Sequence, residues 1–429
     1  MRPKYTPYLL YADDQGRIFE DRTLQVVGRI ANENVELYTY DFIPLPEGSD
    51  FFHLPGRRAI GYDPKTNEFR VCEKGWAVAA FVAPAYTLTH QAAWTTEADA
   101  PRLPLYAYAA IGWFNNEFYT TAFRIDPDKR QDCDQFNQLY VEKNAKIMLK
   151  ANKDNRLLEH LGNCALVYLC PAARNYFMNR WEAPLPTSPS CNSRCVGCIS
   201  YQPKESKISS TQNRITFVPK PEEIAEIAIS HLETAPNPVV SFGQGCEGEP
   251  LLVWETMCEA IRLIRAKTLK GIINLNTNAS KPKAVEEMCR AGLQSMRVSM
   301  NSVQEQNYLK YYQPVNYSFA DVLESINIAR SYDAWVSINY FVFPGYTDEA
   351  REVEALRKFI KEFDISMIQW RNFNIDPEWY AEIVPPVESG EFMGTKNLVD
   401  ALRKEFPKLY HGYFNPGSEI VFRNRKVLR

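Results

Sequence analysis

Cys191-Asn192-Ser193-Arg194-Cys195-Val196-Gly197-Cys198 places three of the chain's ten cysteines within eight positions, just behind a proline-rich segment at 184–189. The C-x-x-x-C-x-x-C spacing gathers three thiols around one point on a short loop, which suits metal binding better than a disulfide. Ten cysteines in 429 residues are also too sparse for a disulfide scaffold. A cubane iron-sulfur cluster offers more irons than this loop has thiols, so one iron is left open to another ligand, as binding and reducing a molecule at the metal requires. The alternative is a zinc site completed by a distant residue, although no histidine or fourth cysteine stands nearby at zinc-ligand spacing.

Downstream of the loop, short apolar runs alternate with amphipathic stretches, the pattern of parallel βαβ units. Helices are predicted from Pro221 and over 251–266, 283–291, 319–330 and 347–363. Strands are predicted near 185–187 and at 239–243, 272–276, 295–301, 335–342 and 366–371, giving six βα units. Side chains alternate across a strand, so Asn274 with Asn276, Arg297 with Ser299 and Asn301, Ser337 with Asn339, and Gln369 with Arg371 share faces. The opposite faces are apolar. A closed barrel normally fills its interior with branched apolar side chains, so a polar inner face argues for an open, ligand-holding lumen. An ordinary sheet with one wet face is the plainer alternative, but parallel crossovers usually cover both faces with helices. The expected fold is therefore α/β, a partial (β/α)6 barrel.

The first 160 residues read differently. Aromatic and β-branched runs at 37–43, 69–72 and 77–82, separated by turn residues, predict a β-rich N-terminal domain over 1–160 with a capping or substrate-recognition role. A charged helical stretch spans 137–160 near its end. A connecting segment at 161–183, the barrel at 184–385 and a C-terminal extension at 386–429 complete the expected organisation.

The cysteine loop behind a first strand resembles that of the radical S-adenosylmethionine (SAM) superfamily, whose barrel the segment 184–374 also resembles. The resemblance implies a 4Fe–4S cluster on Cys191, Cys195 and Cys198, with the amino and carboxylate groups of SAM on the open iron. It also implies reductive cleavage of SAM and hydrogen-atom abstraction by a 5'-deoxyadenosyl radical. Gly243-Gln244-Gly245-Cys246-Glu247-Gly248-Glu249-Pro250 is similar to the superfamily's Gly-Glu-Pro segment, which makes Gly248 and Glu249 candidates for the SAM ammonium. Asn276-Thr277-Asn278 resembles its Thr-Asn-Gly, with Ala279 replacing glycine, and Ser299 matches a fourth-strand serine that meets the SAM carboxylate or ribose. Pro344 and Gly345, closing the fifth strand, stand where the superfamily supports adenine, and Asn339 on that strand joins the cofactor candidates. Gly197 departs from the pattern, because an aromatic residue often precedes the third cysteine and contacts adenine. The sixth strand lies beyond these motifs, so Gln369 and Arg371 are assigned to the substrate, Arg371 as the anchor for an anionic group. An internal salt bridge is the competing explanation for Arg371.

Cys246, inside the glycine-rich segment, is either a hydrogen donor or an inert thiol. Cys72, Cys133, Cys164 and Cys170 are considered as ligands of a second cluster, against the plainer reading of lone cysteines as small buried hydrophobes. The five histidines form no triad or metal spacing, and the basic tail of Arg423, Arg425, Lys426 and Arg429 reads as a solvated end. A net charge of -3 disfavours nucleic acid as a partner. With no leader-like or membrane-spanning run, the expected location is cytoplasmic. The expected partners are SAM, a one-electron donor such as flavodoxin or ferredoxin, and a small-molecule or peptide substrate. Rearrangement, crosslinking, methylation, thiolation and oxidation remain open as outcomes. The rival functions are a zinc-stabilised binding protein and a radical SAM enzyme acting on nucleic acid.

Overall fold

The computed structural model describes residues 4–387 and 390–423. Arg425, Lys426 and Arg429 of the basic tail lie outside them.

The N-terminal region is an antiparallel sheet built on three long strands, Ile18–Ile30, Asp50–Asp63 and Glu68–Phe81. Ile18–Ile30 pairs with both Tyr8–Ala12 and Asp50–Asp63, and Glu68–Phe81 pairs with the same two, so the four strands close into a ring. The expected β-runs 69–72 and 77–82 are thus parts of one strand. The run 37–43 instead holds a turn at Thr39–Asp41, because the Asp41 carboxylate accepts from Tyr38 N at 2.8 Å and folds the chain back.

The remainder is a parallel sheet of seven strands in sequence order: Glu182–Leu185, Val239–Phe242, Ile272–Thr277, Ser295–Met300, Trp335–Val342, Met367–Asn372 and Tyr410–Gly412. Helices Pro221–Thr234, Trp254–Arg265, Pro282–Ala291, Phe319–Ser331 and Ala350–Glu362 alternate with the strands. Their apolar stripes meet Ile273, Leu275, Met296, Val298, Val336, Ile338, Ile368 and Trp370, all buried in one core. The partial barrel expected from the alternation is present, with two adjustments. Its first strand starts three residues early, and residues Tyr410–Gly412 of the C-terminal extension add a seventh strand beside the sixth.

The helical stretch expected at 137–160 is two helices, Gln138–Ala151 and Arg156–Leu166. They are separated where Asn155 caps the second by accepting from Leu158 N at 2.9 Å. Val141, Ala145, Leu157 and Leu161 are buried in the barrel core, so these helices pack with the barrel rather than with the N-terminal sheet.

The N-terminal region grips the C-terminal ends of the fifth and sixth strands. Leu88 N donates to Asn372 Oδ1 at 2.9 Å, Asn372 Nδ2 to Tyr86 O at 3.0 Å, and Ala31 N to Pro344 O at 2.9 Å. Arg57 pairs with Asp376 at 3.2 Å, each side chain only 3% exposed, while Leu103 N donates to the same carboxylate at 2.8 Å. Burial pushes the Asp376 carboxyl up and Arg57 pulls it back. Removing one member of such a pair strands a buried charge. Arg57→Met is therefore expected to lower folding stability by about 3 to 5 kcal/mol. Denaturant unfolding measures this, and a loss within experimental error would deny the pair its structural role.

Candidate functional site

The C-terminal ends of the barrel strands surround a cavity of about 510 Å³ lined by Cys191, Cys195 and Cys198. The cysteine loop is clamped from two sides. On one side, Arg194 N donates to Tyr312 O at 3.0 Å, Val196 N to Tyr311 O at 3.1 Å, and Val315 N to Asn192 O at 2.9 Å. On the other, Gly248 N donates to Ser188 O at 2.7 Å and Glu249 N to Ser190 O at 2.8 Å. A Cβ on Gly248 would overlap the Ser190 carbonyl, so this backbone approach requires glycine.

Two buried carboxylates complete the clamp. Glu247 accepts from Thr187 N at 2.7 Å, Ser188 N at 3.0 Å and Gln244 N at 2.6 Å. Glu249 accepts from Asn278 N at 2.9 Å, Leu251 N at 3.1 Å and the Thr277 hydroxyl. Burial lifts the Glu249 carboxyl to about 7 despite these donors. Asn278 in turn donates to Asn192 Oδ1 at 2.9 Å and Ser193 Oγ at 3.0 Å, tying the end of the third strand to the cysteine loop.

The three thiols suit a metal cluster. Burial pushes Cys191 up to about 11 and holds Cys195 well above the ordinary thiol range, where the neighbouring Cys198 and Cys191 raise it further. Thiols held up in this way ionise only beside strong positive charge, which a cluster supplies. Arg214 adds to it, donating towards Cys198 Sγ at 3.7 Å.

Below the cavity, polar side chains cross the lumen as a bonded floor. Ser241 Oγ donates to Glu182 Oε1 at 2.6 Å, Asn415 Nδ2 to the same oxygen at 2.8 Å, Gln369 Nε2 to Asn415 Oδ1 at 2.9 Å, and Arg297 NH1 to Gln369 Oε1 at 3.0 Å. Asn276, buried beside this floor, accepts from Asn274 at 2.9 Å and donates to Gly243 O at 3.0 Å. Above it stand Ser299, Asn339, Arg297 and Arg371, all lining the cavity. Asn339 Oδ1, Arg297 Nε and Arg371 Nε have no partner. Arg371 stands over Tyr413, its guanidinium carbon 3.9 Å from the ring centre, and among the described residues no carboxylate pairs with it. Burial, then the nearby Arg371 charge, lowers Arg297 to about 9. The cavity glutamates Glu182, Glu247 and Glu249 are engaged by neutral donors, while two guanidinium groups face the open space.

Four expected site residues lie elsewhere. Pro344 and Gly345 are outside the cavity lining, because Ala31 packs on them and bonds to Pro344 O. Gln369 is fully buried in the floor with both ends of its amide bonded. Cys246 turns away from the cavity to His160 Nε2 at 3.4 Å. The four cysteines considered for a second cluster do not all converge. Cys72 sits 3.9 Å from Asp21 in the N-terminal sheet and Cys133 abuts Gly48, whereas Cys164 faces His160 and Cys170, lining the cavity, donates its backbone N–H to Cys164 O at 2.9 Å.

Sequence reading passed over Glu247, Arg214 and an aromatic wall of Tyr311, Phe341 and Phe373. The two phenylalanines stack at 5.1 Å, and Tyr311 meets Phe373 edge-on at 4.9 Å. A Cβ at Gly197 would stand 2.9 Å from the Tyr311 hydroxyl, so this wall occupies the space beside Gly197 where an aromatic residue was expected. The signal for Glu247 was present, since it flanks Gly248 in the quoted segment. Tyr311 carries none, because its helix Glu305–Tyr312 lies more than a hundred residues downstream of the loop it backs.

Residues 185–358 match the family model of the radical SAM superfamily. The GTP 3',8-cyclase of Marinobacter nauticus is 27% identical over 195 residues, 43% of this chain and 52% of that protein. The chain thus spans about half the length of this curated relative. Among solved structures, methylornithine synthase (PylB) aligns with a TM-score of 0.38 and 16% identity, covering 62% of this chain and 74% of that one. The FeFe-hydrogenase maturase HydG from Carboxydothermus hydrogenoformans aligns at 0.37 and 13%, covering 63% and 69%.

Gly248→Ala tests the clamp. With no room beside the Ser190 carbonyl, the two loops must part, and a stability loss of about 1 to 3 kcal/mol is expected in denaturant unfolding. An unchanged midpoint would mean that the approach is not tight.

Proposed function

We propose that this radical SAM enzyme, whose cofactors are a 4Fe–4S cluster and SAM, abstracts a hydrogen atom from a small substrate bearing a carboxylate or phosphate. The observation carrying the proposal is the pair Arg297 and Arg371, which line the cavity and form no ion pair with a carboxylate among the described residues. Two guanidinium groups in a confined space strongly favour an anion, and the planar fork of Arg371 suits bidentate contact.

Cys191, Cys195 and Cys198 would hold the cluster. When bound, the cluster and SAM supply the one-electron chemistry that makes the 5'-deoxyadenosyl radical. The chain's own residues position and shield. Glu249, whose ionised form burial disfavours, regains charge beside the SAM ammonium, and the carbonyls of its segment accept from the same group. Ser299 and Asn339 line the cavity, where the Ser299 hydroxyl would meet the SAM carboxylate or ribose, while Asn276 and Asn278 hold the strand end and cysteine loop in place. Tyr311, Phe341 and Phe373 keep water from one wall. The N-terminal region, gripping the fifth and sixth strand ends, caps the substrate side. A flavodoxin or ferredoxin would deliver the electron, and no helix among the described residues is long and apolar enough to cross a membrane. GTP, the substrate in the cyclase relative's name, is an anion of the proposed kind and belongs among the compounds to test.

Replacing Cys191, Cys195 and Cys198 together by Ala should abolish the visible iron-sulfur absorbance and the bound iron. Retained iron in that variant places the cluster elsewhere. For the substrate, Arg371→Lys should keep the cluster, SAM affinity and slow uncoupled SAM cleavage. It should weaken the anionic substrate about tenfold to a hundredfold, the equivalent of one charged hydrogen bond. Loss of SAM affinity with the cluster intact would assign the arginine pair to the cofactor and overturn the substrate reading.

A further inference from the structure

His160 and Cys164 lie one turn apart on helix Arg156–Leu166 and so share a face. Cys246 reaches them from the glycine-rich segment 86 positions downstream of His160. His160 Nε2 stands 3.4 Å from Cys246 Sγ and 3.6 Å from Cys164 Sγ, and the three atoms lie within 4.8 Å of one another. Both cysteines are buried, Cys164 at 3% and Cys246 at 6% exposure.

The two thiols bond to each other as well as to the ring, so His160, Cys164 and Cys246 form one mutually bonded group. A cation at its centre engages all three atoms without rearranging them. With Zn–N near 2.0 to 2.1 Å and Zn–S near 2.3 Å, a tetrahedral ion sets its nitrogen and sulfur ligands about 3.5 Å apart. The observed separations of 3.4 and 3.6 Å bracket that value. A cubane would spread its cysteines over separate irons, farther apart than this group allows, so the geometry selects a single ion. The donor set of one imidazole and two thiolates favours zinc over magnesium or calcium, which take oxygen ligands.

We propose that His160, Cys164 and Cys246 bind one zinc ion, distinct from the cluster on Cys191, Cys195 and Cys198. The ion fastens helix Arg156–Leu166 to the segment presenting Glu247, Gly248 and Glu249, adding a metal clamp to the carboxylate one. The site does not depend on the substrate proposed above.

Metal analysis of the anaerobically purified full-length chain, produced with zinc supplied, should find one zinc per chain besides the iron. The Cys191, Cys195 and Cys198 triple alanine variant should lose the iron and keep the zinc. His160→Ala and Cys164→Ser should each lose the zinc and keep the iron. Cobalt(II) added to the metal-free Cys191, Cys195 and Cys198 triple alanine variant, in which the cluster thiols cannot contribute, should develop thiolate charge-transfer absorption and tetrahedral visible bands that zinc bleaches. The proposal is overturned by cobalt bands that are octahedral or absent. Zinc that disappears with the cluster cysteines, or a Cys164–Cys246 disulfide mapped in the anaerobic protein, overturns it equally.

Discussion

The cavity depends on two carboxylates kept from water. Glu247 and Glu249 stand two residues apart, and their oxygens collect donors from the end of the first strand, from their own turn and from the end of the third. Each donor is neutral, so neither acid is balanced by a nearby cation, and burial raises both above the ordinary carboxylate range. Such an arrangement is stable only while every donor stays aligned. The cysteine loop, hung between this knot and the Tyr311–Val315 backbone, inherits its position from that alignment.

The same economy of charge governs the lumen. Glu182 accepts a serine and an asparagine, anchors the floor and acts by its charge on Arg297 above it, while Arg371 rests against the Tyr413 ring. A low-dielectric wall of Tyr311, Phe341 and Phe373 screens these charges little.

What could be read from the chain was local or periodic. The cysteine spacing, the glycine-rich segment and the alternation along the third to sixth strands are patterns of a few residues, and the parallel sheet carries them as read. Contacts between distant segments were hidden. Nothing near Pro344 announces that Ala31 will cover it, and nothing near Cys246 announces His160. The seventh strand escaped notice because three residues, Tyr410–Gly412, are too few to establish a period. Gln369 was correctly placed on the inward face, but alternation gives direction and not depth, and depth puts it in the floor rather than against a ligand.

The grip of the N-terminal sheet on the fifth and sixth strand ends bears on how this barrel could have been inherited or dissected. Asn372 and Asp376 take partners from the N-terminal region, among them Tyr86, Leu88, Arg57 and Leu103. A fragment starting at the helix Gln138–Ala151 would retain the cysteine loop yet expose those groups and the Pro344 turn to solvent. The sheet is thus less an appended module than the missing wall of the barrel, and the two halves are expected to have diverged together, each change at Arg57 or Asp376 constraining the other.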